Sequence, residues 1–277
     1  MAKAQGIIGN FKGKVGNMVG YQLTDSNNKQ TQGIRIYQPN VKNPKTSAQA
    51  EQRAKLTPIN ATYRALKMVI DRGNEGLPYG NKSRLAWLKS AFKAELMPWF
   101  EKGQVVSSPV LCMISKGSLA SIQKFNKSND YAQVSVDGIT TAGTTTVGAL
   151  ATAILAAYPA LKAGDQLTWV ECENMSGLLV AYINSLVLDT TSTAAIPSFL
   201  RVDDDMLVPV SCQGDCIAGC IIVSREGANG EHMRSTEYLA QMSGYNENLF
   251  GAEAKAAAIA SYQTAAGSSD WAEESIQ

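Results

Sequence analysis

Five glycines near the start of the chain have a spacing that is incompatible with a long helix. They lie at alternating intervals of three and four residues, at positions 6, 9, 13, 16 and 20. Because a glycine inside a helix costs about 1 kcal/mol relative to alanine, every helical turn here would carry a destabilising residue. Glycine suits tight turns and close backbone approach instead. The spacing therefore predicts short strands joined by turns.

The same stretch contains GNFKGK, from Gly9 to Lys14, which approaches the phosphate-binding pattern G-x-x-x-x-G-K-[ST]. That loop needs four residues between its glycines and a hydroxyl after the lysine to hold magnesium. Only three residues separate Gly9 from Gly13, and Val15 offers no hydroxyl. We expect no nucleotide cradle here.

Partial period-two alternation of apolar side chains indicates strands in residues 6–24 and 33–38. A polar cluster, from Asp25 to Lys29, lies between them and is typical of a turn. The sequence therefore predicts a glycine-rich β-hairpin with a polar tip.

Three helices are predicted after the hairpin. A capping box at TSAQ, residues 46–49, begins a first helix that we expect to end near Leu56. Thr57 and Pro58 are typical of a helix start, so a second helix is expected from there to about Gly73. A third helix is expected from about Ser83 to Leu96. Its predicted buried side chains are Leu85, Leu88 and Phe92, with Trp87 on a neighbouring stripe.

The chain beyond residue 104 is richer in strand patterns, interrupted by one helix predicted at 147–158 and followed by an alanine-rich helix at 252–266. Strands are predicted at about 110–114, 132–136, 166–172, 178–188, 206–211 and 216–224. Several strands with turn signals about ten residues apart favour an antiparallel sandwich or barrel. The predicted fold class is α+β, with domains at 1–104 (basic hairpin and helices), 105–250 (antiparallel, sandwich-like) and 251–277 (helix and polar tail).

Charge is distributed very unevenly along the chain, although the net charge is only +1. Residues 1–104 contain seventeen Lys and Arg against six Asp and Glu, a net charge of +11. Residues 105–277 contain eight against eighteen, a net charge of −10. Such asymmetry suggests either a basic module facing phosphate or an acidic partner, or head-to-tail attraction between copies of the chain. Solvated helix faces are the plainer alternative.

Basic side chains with interspersed tyrosines form the candidate binding surface of the first hundred residues, because cations grip phosphate and aromatic rings stack on bases. The same mixture could grip an acidic protein surface. The candidate residues are Lys12, Lys14, Arg35, Tyr37, Lys42, Lys45, Arg53, Lys55, Arg64, Lys67, Arg84, Lys89 and Lys93.

Residue types that carry catalysis or bind metals are sparse. The single histidine, His232, follows a predicted strand and is expected in an exposed turn, with no nucleophile marked nearby. Cys212, Cys216 and Cys220 recur every four residues, which would place all three on one face of an extended chain. Whether they bind metal stays open, with Cys172 or Cys112 as a fourth ligand if they do. We expect no catalytic site, no cofactor and no enzymatic activity.

Five cysteines in a long chain argue for a reducing compartment rather than a disulfide framework. No run of eighteen apolar residues occurs, so no membrane span is expected.

The N-terminal part of the chain contains GKVGNMVG at 13–20, Arg35-x-Tyr37-Gln38-Pro39, and NPKT at 43–46 followed by Gln49, Gln52 and Arg53. This motif resembles an uncharacterised family of proteins encoded by gut bacteria and their phages. AGCIIVSR at 218–225 and MRS at 233–235 resemble the family's C-terminal strand pair. The resemblance implies a phage or mobile-element product and carries no activity with it.

The sequence thus predicts a non-enzymatic phage structural or virion-associated protein, located in the virion or the host cytoplasm, that assembles with itself or with other virion proteins. A sequence-independent single-stranded DNA-binding protein is the alternative, because phosphate contacts are what a basic module provides.

Overall fold

The computed structural model describes residues 13–24, 30–37, 46–125, 132–135, 146–203, 206–210, 216–227 and 230–264. By its contacts the chain divides into two compact units, Met1–Lys45 and Thr46–Gln277. Antiparallel strands in several sheets are combined with five helices in the described part, including one at the C-terminal end. The predicted α+β class is confirmed.

The first unit contains a three-stranded antiparallel sheet with the strands β1 (Gly13–Val15), β2 (Met18–Thr24) and β3 (Gln30–Ile36). Gly16, in the turn between β1 and β2, has a φ of +58°, a conformation that glycine adopts at no steric cost. Strands β2 and β3 pair without interruption, from Met18 opposite Ile36 to Thr24 opposite Gln30. The predicted hairpin is confirmed, whereas its polar tip at 25–29 and residues 6–12 lie outside the described residues.

The second unit contains five α-helices and one short 3-10 helix among its described residues. They are α1 (Ser47–Ala65), α2 (Lys67–Ile70), α3 (Asn81–Ala91), α4 (Val147–Ala157), the 3-10 helix Glu247–Leu249 and α5 (Ala252–Thr264). The predicted cap at Thr46 is confirmed, since its hydroxyl accepts from Gln49 N–H. The structure adds a second cap of this kind at Thr146, whose hydroxyl accepts from Ala149 N–H. The helices predicted at 147–158 and 252–266 are confirmed.

The prediction that the first helix ends near Leu56 and restarts at Pro58 is wrong, because α1 runs through both residues. Pro58 removes one backbone donor, but its ring is buried and its carbonyl accepts from the Thr62 hydroxyl at 2.8 Å. Burial in the core stabilises the continuous helix despite a residue that ordinarily disfavours a helix interior.

The predicted buried face of α3 is wrong for Leu85, whereas Leu88 and Phe92 are half-buried against an apolar core. Leu85 is 49% exposed, whereas Trp87 is 2% exposed. The buried stripe is Ser83, Trp87 and Ala91, at intervals of four residues. Ser83 faces inward because its hydroxyl donates to the Ile70 carbonyl at 2.7 Å, so a polar residue occupies the position that a purely apolar pattern overlooks. The helix also ends at Ala91, five residues earlier than predicted.

The described strands of the second unit form three antiparallel sheets. They are β4 (Met113–Ser115), β5 (Lys124–Phe125), β6 (Ala132–Ser135), β7 (Gln166–Met175), β8 (Leu178–Val187), β9 (Leu200–Asp203), β10 (Met206–Pro209), β11 (Cys216–Glu226), β12 (His232–Arg234), β13 (Glu237–Tyr238) and β14 (Ala240–Gln241). The central sheet has the order β12-β11-β7-β8, with β14 also pairing with β11. A second sheet has the order β5-β6-β10-β9, and β13 pairs with β4.

Both faces of the central sheet are covered by apolar cores. One face contributes Trp169 and Ile221 to a cluster shared with α4 and with the second sheet, which is the sandwich-like arrangement. The other face contributes Cys220 and Ile222 to a cluster shared with α1, α2 and α3. The sheet is therefore the middle layer between helices on one side and a sheet with α4 on the other.

The second cluster joins residues on both sides of the boundary predicted at residue 104. Ile59 and Trp87 precede that position, and Val170 and Ile222 follow it, within one core. The predicted domain division concerns which parts fold independently, and it stays a prediction.

Candidate functional site

The three-stranded sheet of the first unit has a cationic face. Its register places Lys14 beside Val19 and Val19 beside Arg35, so the three side chains form one row across the strands. Cross-strand neighbours in such a row point to the same face of a sheet. Lys14 and Arg35 are exposed, and both belong to the candidate set predicted from the sequence.

Two tyrosines lie on the same face as this row. The Lys14 Nζ lies 3.6 Å from the centroid of the Tyr37 ring, a cation–π contact, and Tyr37 N–H donates to the Asn17 carbonyl at 2.8 Å. The Tyr21 ring lies across Gly33, where an added Cβ would fall within 2.5 Å of a ring carbon. Two cations and two half-buried rings therefore share one side of a sheet only three strands wide.

The opposite face of this sheet carries an uncovered apolar row. Val15 pairs with Met18 and Met18 pairs with Ile36, which makes the three side chains neighbours on one face. They are 58%, 41% and 71% exposed, respectively. The sequence analysis did not identify this row. The alternation of apolar residues is visible in the sequence, but which of them become neighbours depends on the register between the strands.

The predicted candidates on the helices are partly neutralised and partly free. Arg53, Arg64, Lys89 and Lys93 are exposed and form no ion pair with a described residue. Lys55 and Lys67 form ion pairs, and Arg84 lies over an aromatic ring. Lys12, Lys42 and Lys45 lie outside the described residues.

Tyr63, Lys67, Asp71 and Arg84 form one connected network. The Tyr63 hydroxyl donates to Asp71 Oδ1 at 2.9 Å, and Lys67 Nζ donates to Asp71 Oδ2 at 2.8 Å. Burial alone raises the pKa of Asp71, but these two hydrogen bonds outweigh burial and lower it. The Arg84 guanidinium lies 4.5 Å from the centroid of the Tyr63 ring. Two of the predicted cations therefore serve intramolecular contacts.

Lys55 contributes to a contact between α1 and α5. Glu51 Oε1 lies 3.1 Å from Lys55 Nζ and 3.0 Å from Lys255 Nζ. The hydrogen bond from Lys255, and then that from Lys55, lower the pKa of Glu51. Lys55 therefore pairs with Glu51 within α1, and Lys255 is the residue that joins Glu51 to α5.

The prediction that the three clustered cysteines share one face is wrong for the two that are described. A β-bulge in β11 between Cys216 and Ala218 shifts the register by one residue. Cys216 consequently lies in the core shared with the second sheet, and Cys220 lies in the core shared with the helices. Cys212 lies outside the described residues.

The described cysteines have the character of core residues. Cys112, Cys172, Cys216 and Cys220 have free, buried thiols. Burial raises the pKa of Cys112 to about 12 and raises the pKa of Cys172 and Cys220 as well. Within the described ranges, no group of three or more His, Cys, Asp or Glu is placed to hold a metal ion.

A cleft of about 550 Å³ lies between the loop after α2 and the β11–β12 turn. Its walls include Leu77, Tyr79 and His232, and the Tyr79 and His232 ring centroids are 5.0 Å apart. The Arg72 guanidinium lies 5.3 Å from the Tyr79 centroid. His232 is exposed, as predicted, although it is the first residue of β12 rather than a turn residue. The lining also includes two carboxylate side chains, those of Glu75 and Glu231.

The two edges of the central sheet differ in what covers them. At the β12 edge, Arg234 N–H donates to Glu75 Oε2 at 3.1 Å and the Arg234 carbonyl accepts from Leu119 N–H at 2.8 Å. At the opposite edge, β8 pairs with β7 and with no other described strand. Near the start of β8, Leu179 N–H donates to the Val106 carbonyl at 3.0 Å, which is the one backbone hydrogen bond at this edge from another part of the described chain.

None of the described helices is both long enough and apolar enough to span a bilayer. No protein-family model, no curated protein and no solved structure matches this chain.

Proposed function

We propose that the protein is a non-enzymatic structural or virion-associated component of a phage, which assembles with copies of itself or with other virion proteins, in the virion or the host cytoplasm. The resemblance of its N-terminal motif to phage-encoded proteins is the reason for the phage setting. The division of charge into a basic front and an acidic remainder supports attraction between chains.

The observation that carries this proposal is the uncovered apolar row of the first unit. Val15, Met18 and Ile36 are neighbours on one face and remain exposed to solvent. Covering such an apolar row stabilises the structure, because it removes apolar area from water. An assembling protein supplies that cover from a neighbouring chain.

Light scattering over a range of protein and salt concentrations tests assembly. We expect the mass of the full chain to rise above 29.6 kDa with concentration. Met18→Lys places a charge in the centre of the apolar row and should weaken association about tenfold or more, since one buried unpaired charge costs over 1.4 kcal/mol. Gln22→Lys is the matched control, because Gln22 is an exposed residue of the same strand.

A chain that stays monomeric at every salt concentration and at high protein concentration would contradict the proposal. Equal effects of Met18→Lys and Gln22→Lys would contradict the role of the apolar row while leaving assembly intact.

Sequence-independent binding of single-stranded DNA is a second candidate, favoured by the cationic face of the same sheet. Lys14 and Arg35 can neutralise phosphates, and Tyr21 and Tyr37 can stack on bases. Arg53 and Arg64, on α1 of the second unit, are further exposed cations that can contact phosphate.

Fluorescence anisotropy with a labelled oligothymidine tests this candidate on the full chain. The double variant Lys14→Gln, Arg35→Gln should lower the slope of log affinity against log salt by about 1.4, since each phosphate contact contributes about 0.7. Lys116→Gln, at an exposed lysine outside the basic third, is the control. No binding at low salt by the wild-type chain would remove this candidate and leave the first one standing.

A further inference from the structure

Strand β8 forms a long open edge of the central sheet, and it has the chemistry of a self-pairing strand. We propose that β8 pairs antiparallel with β8 of a second copy of the chain, which joins two central sheets into one continuous sheet. The proposal deepens the assembly function and rests on it, because it names the partner and the contact.

Alternation along the strand identifies which backbone groups face the open edge. In an antiparallel pair, successive residues direct their N–H and C=O groups alternately toward and away from the neighbouring strand. Leu188 N–H donates to the Asp165 carbonyl, toward β7, and Leu179 N–H donates to Val106, away from it. Odd-numbered residues of β8 therefore face outward, which leaves Ala181, Ile183 and Ser185 with both backbone groups directed at the open edge.

β8 lacks the residues that ordinarily prevent an edge strand from pairing with another chain. Natural edge strands are ordinarily protected by lysine, proline, a bulge or a covering segment. The ten residues LLVAYINSLV contain no charge and no proline, and all ten pair with β7 in one uninterrupted register. The contrast with the β12 edge is direct, because Glu75 and Leu119 occupy the outward groups of Arg234 there.

The three outward residues define a symmetric register centred on Ile183. Ile183 then lies opposite Ile183 of the second copy, and Ala181 lies opposite Ser185 in both directions. Each of these three pairs exchanges two backbone hydrogen bonds, so the contact gains six. Val187 is less suited to the centre, because its carbonyl already accepts from Asp189 N–H at 2.9 Å.

Side chains on both faces of β8 gain cover in this register. Leu179, Ala181 and Ile183 are half-buried against the helix-side core, and Tyr182 is half-buried against the opposite core. A strand placed beside them continues both cores across the joint. With no charge on either strand, this pairing brings no like charges together, which is what a second copy of the same segment requires.

Proline at residue 181 tests the pairing without removing a bond to β7. Because the Ala181 N–H faces away from β7, Ala181→Pro should leave the ladder between β7 and β8 intact, and proline is tolerated at such edge positions. It removes one donor from each copy and places a ring in the joint. We expect the dissociation constant of the dimer to rise about tenfold or more, with thermal unfolding by circular dichroism showing that the variant is folded.

Engineered cysteines test the register. Directly opposed residues of a hydrogen-bonded pair lie about 5.5 Å apart between Cα atoms, within reach of a disulfide or a short bis-maleimide linker. Ile183→Cys should therefore cross-link into a covalent dimer. Val187→Cys is the matched control, because the two copies of residue 187 lie far apart in this register, and the wild-type chain controls for its own cysteines.

Cross-linking of Ile183→Cys above both controls, together with the loss of dimer in Ala181→Pro, supports the proposal. Absence of cross-linking combined with an unchanged dimer in Ala181→Pro overturns it, and an oligomeric wild-type chain then keeps the assembly function through another surface. A wild-type chain that is monomeric throughout overturns both.

Discussion

The sheet of the first unit has exposed faces, whereas the central sheet of the second unit has buried faces and one open edge among the described strands. The central sheet buries both faces, with Ile221 in one core and Ile222 in the other, and leaves the β8 edge open. The three-stranded sheet has exposed side chains on both faces, with Lys14 on one and Ile36 on the other. A partner can therefore pair with the edge of one sheet and cover a face of the other.

This difference has a physical origin in sheet size and cover. A sheet with helices on one side and another sheet on the other gains most of its stability from buried apolar area. A sheet of three short strands rich in glycine has little apolar area to bury. The central sheet is therefore stabilised by its own two cores, whereas the first sheet leaves Val15, Met18 and Ile36 exposed to solvent.

The largest expected effect comes from truncating the central sheet. Ile222 is fully buried in the helix-side core. Ile222→Ala should lower the free energy of unfolding by about 2–5 kcal/mol, through lost burial and the remaining cavity. Urea unfolding followed by circular dichroism measures this. A loss under about 1 kcal/mol would mean that the central sheet is as poorly covered as the three-stranded one.

The next largest effect is expected at the end of the central sheet, where Asp165 is held by Arg225. Arg225 Nε and Nη2 donate to the two carboxylate oxygens of Asp165 at 2.6 and 2.7 Å, and the aspartate side chain is 1% exposed. Asp165→Asn leaves the guanidinium without its charge partner and should cost about 2–4 kcal/mol. Arg225→Lys, which keeps the charge but loses the two-point geometry, should cost less. Equal losses in the two variants would contradict the importance of that geometry.

A smaller effect is expected at the covered edge of the central sheet, and it should depend on pH. Burial alone raises the pKa of Glu75, but hydrogen bonds from the Ser118 and Arg234 backbone and from the Ser118 hydroxyl outweigh burial and lower it. A lowered folded pKa means that Glu75 stabilises the fold above the ordinary glutamate pKa of about 4.3, and that this contribution disappears as the pH falls through the folded value.

Glu75→Gln should therefore cost about 1–2 kcal/mol at pH 7 and less than that at pH 3. Urea unfolding at both pH values makes the comparison. Glu95→Gln is the control, because it makes the same substitution at an exposed glutamate. A cost that is the same at both pH values would show that the charge of Glu75 is not what closes this edge.

The smallest effect on folding is expected from an isoleucine-to-alanine substitution in the exposed apolar row of the first unit. Ile36 is 71% exposed, so Ile36→Ala should change the free energy of unfolding by about 0.5 kcal/mol or less. Its effect should appear in association instead, as a mass that rises later with concentration in light scattering. A loss comparable with that of Ile222→Ala would show that this face is already buried within the chain.

Much of the fold could be predicted from local pattern. The cap at Thr46, the β2–β3 hairpin and the C-terminal helix follow from short-range chemistry, and the structure confirms them. The failures occurred where packing outweighs propensity. Core burial carries α1 through Pro58, and an inward hydrogen bond from Ser83 turns α3 so that Trp87 is buried.

The candidate surface could be predicted only in part. Lys14, Arg35 and Tyr37 were identified as residue types, and the register of β1, β2 and β3 brings them onto one face. Lys67 and Arg84 were identified on the same basis, yet Asp71 and the Tyr63 ring engage them within the molecule. Residue type alone does not distinguish these cases. The Arg84 contact comes from Tyr63 on another helix, and even the nearby Asp71 engages Lys67 only because the local helical geometry brings the two side chains together.

The sequence by itself determined the α+β class, the division of charge and the absence of charge from β8, since these follow from composition and short-range periodicity. Only the tertiary structure decided which edge of the central sheet is closed and on which face each cysteine of β11 lies. A carboxylate from the loop after α2 closes one edge, and a single-residue bulge moves Cys216 to the face opposite Cys220. Both depend on strand pairing, which joins residues that local pattern cannot relate.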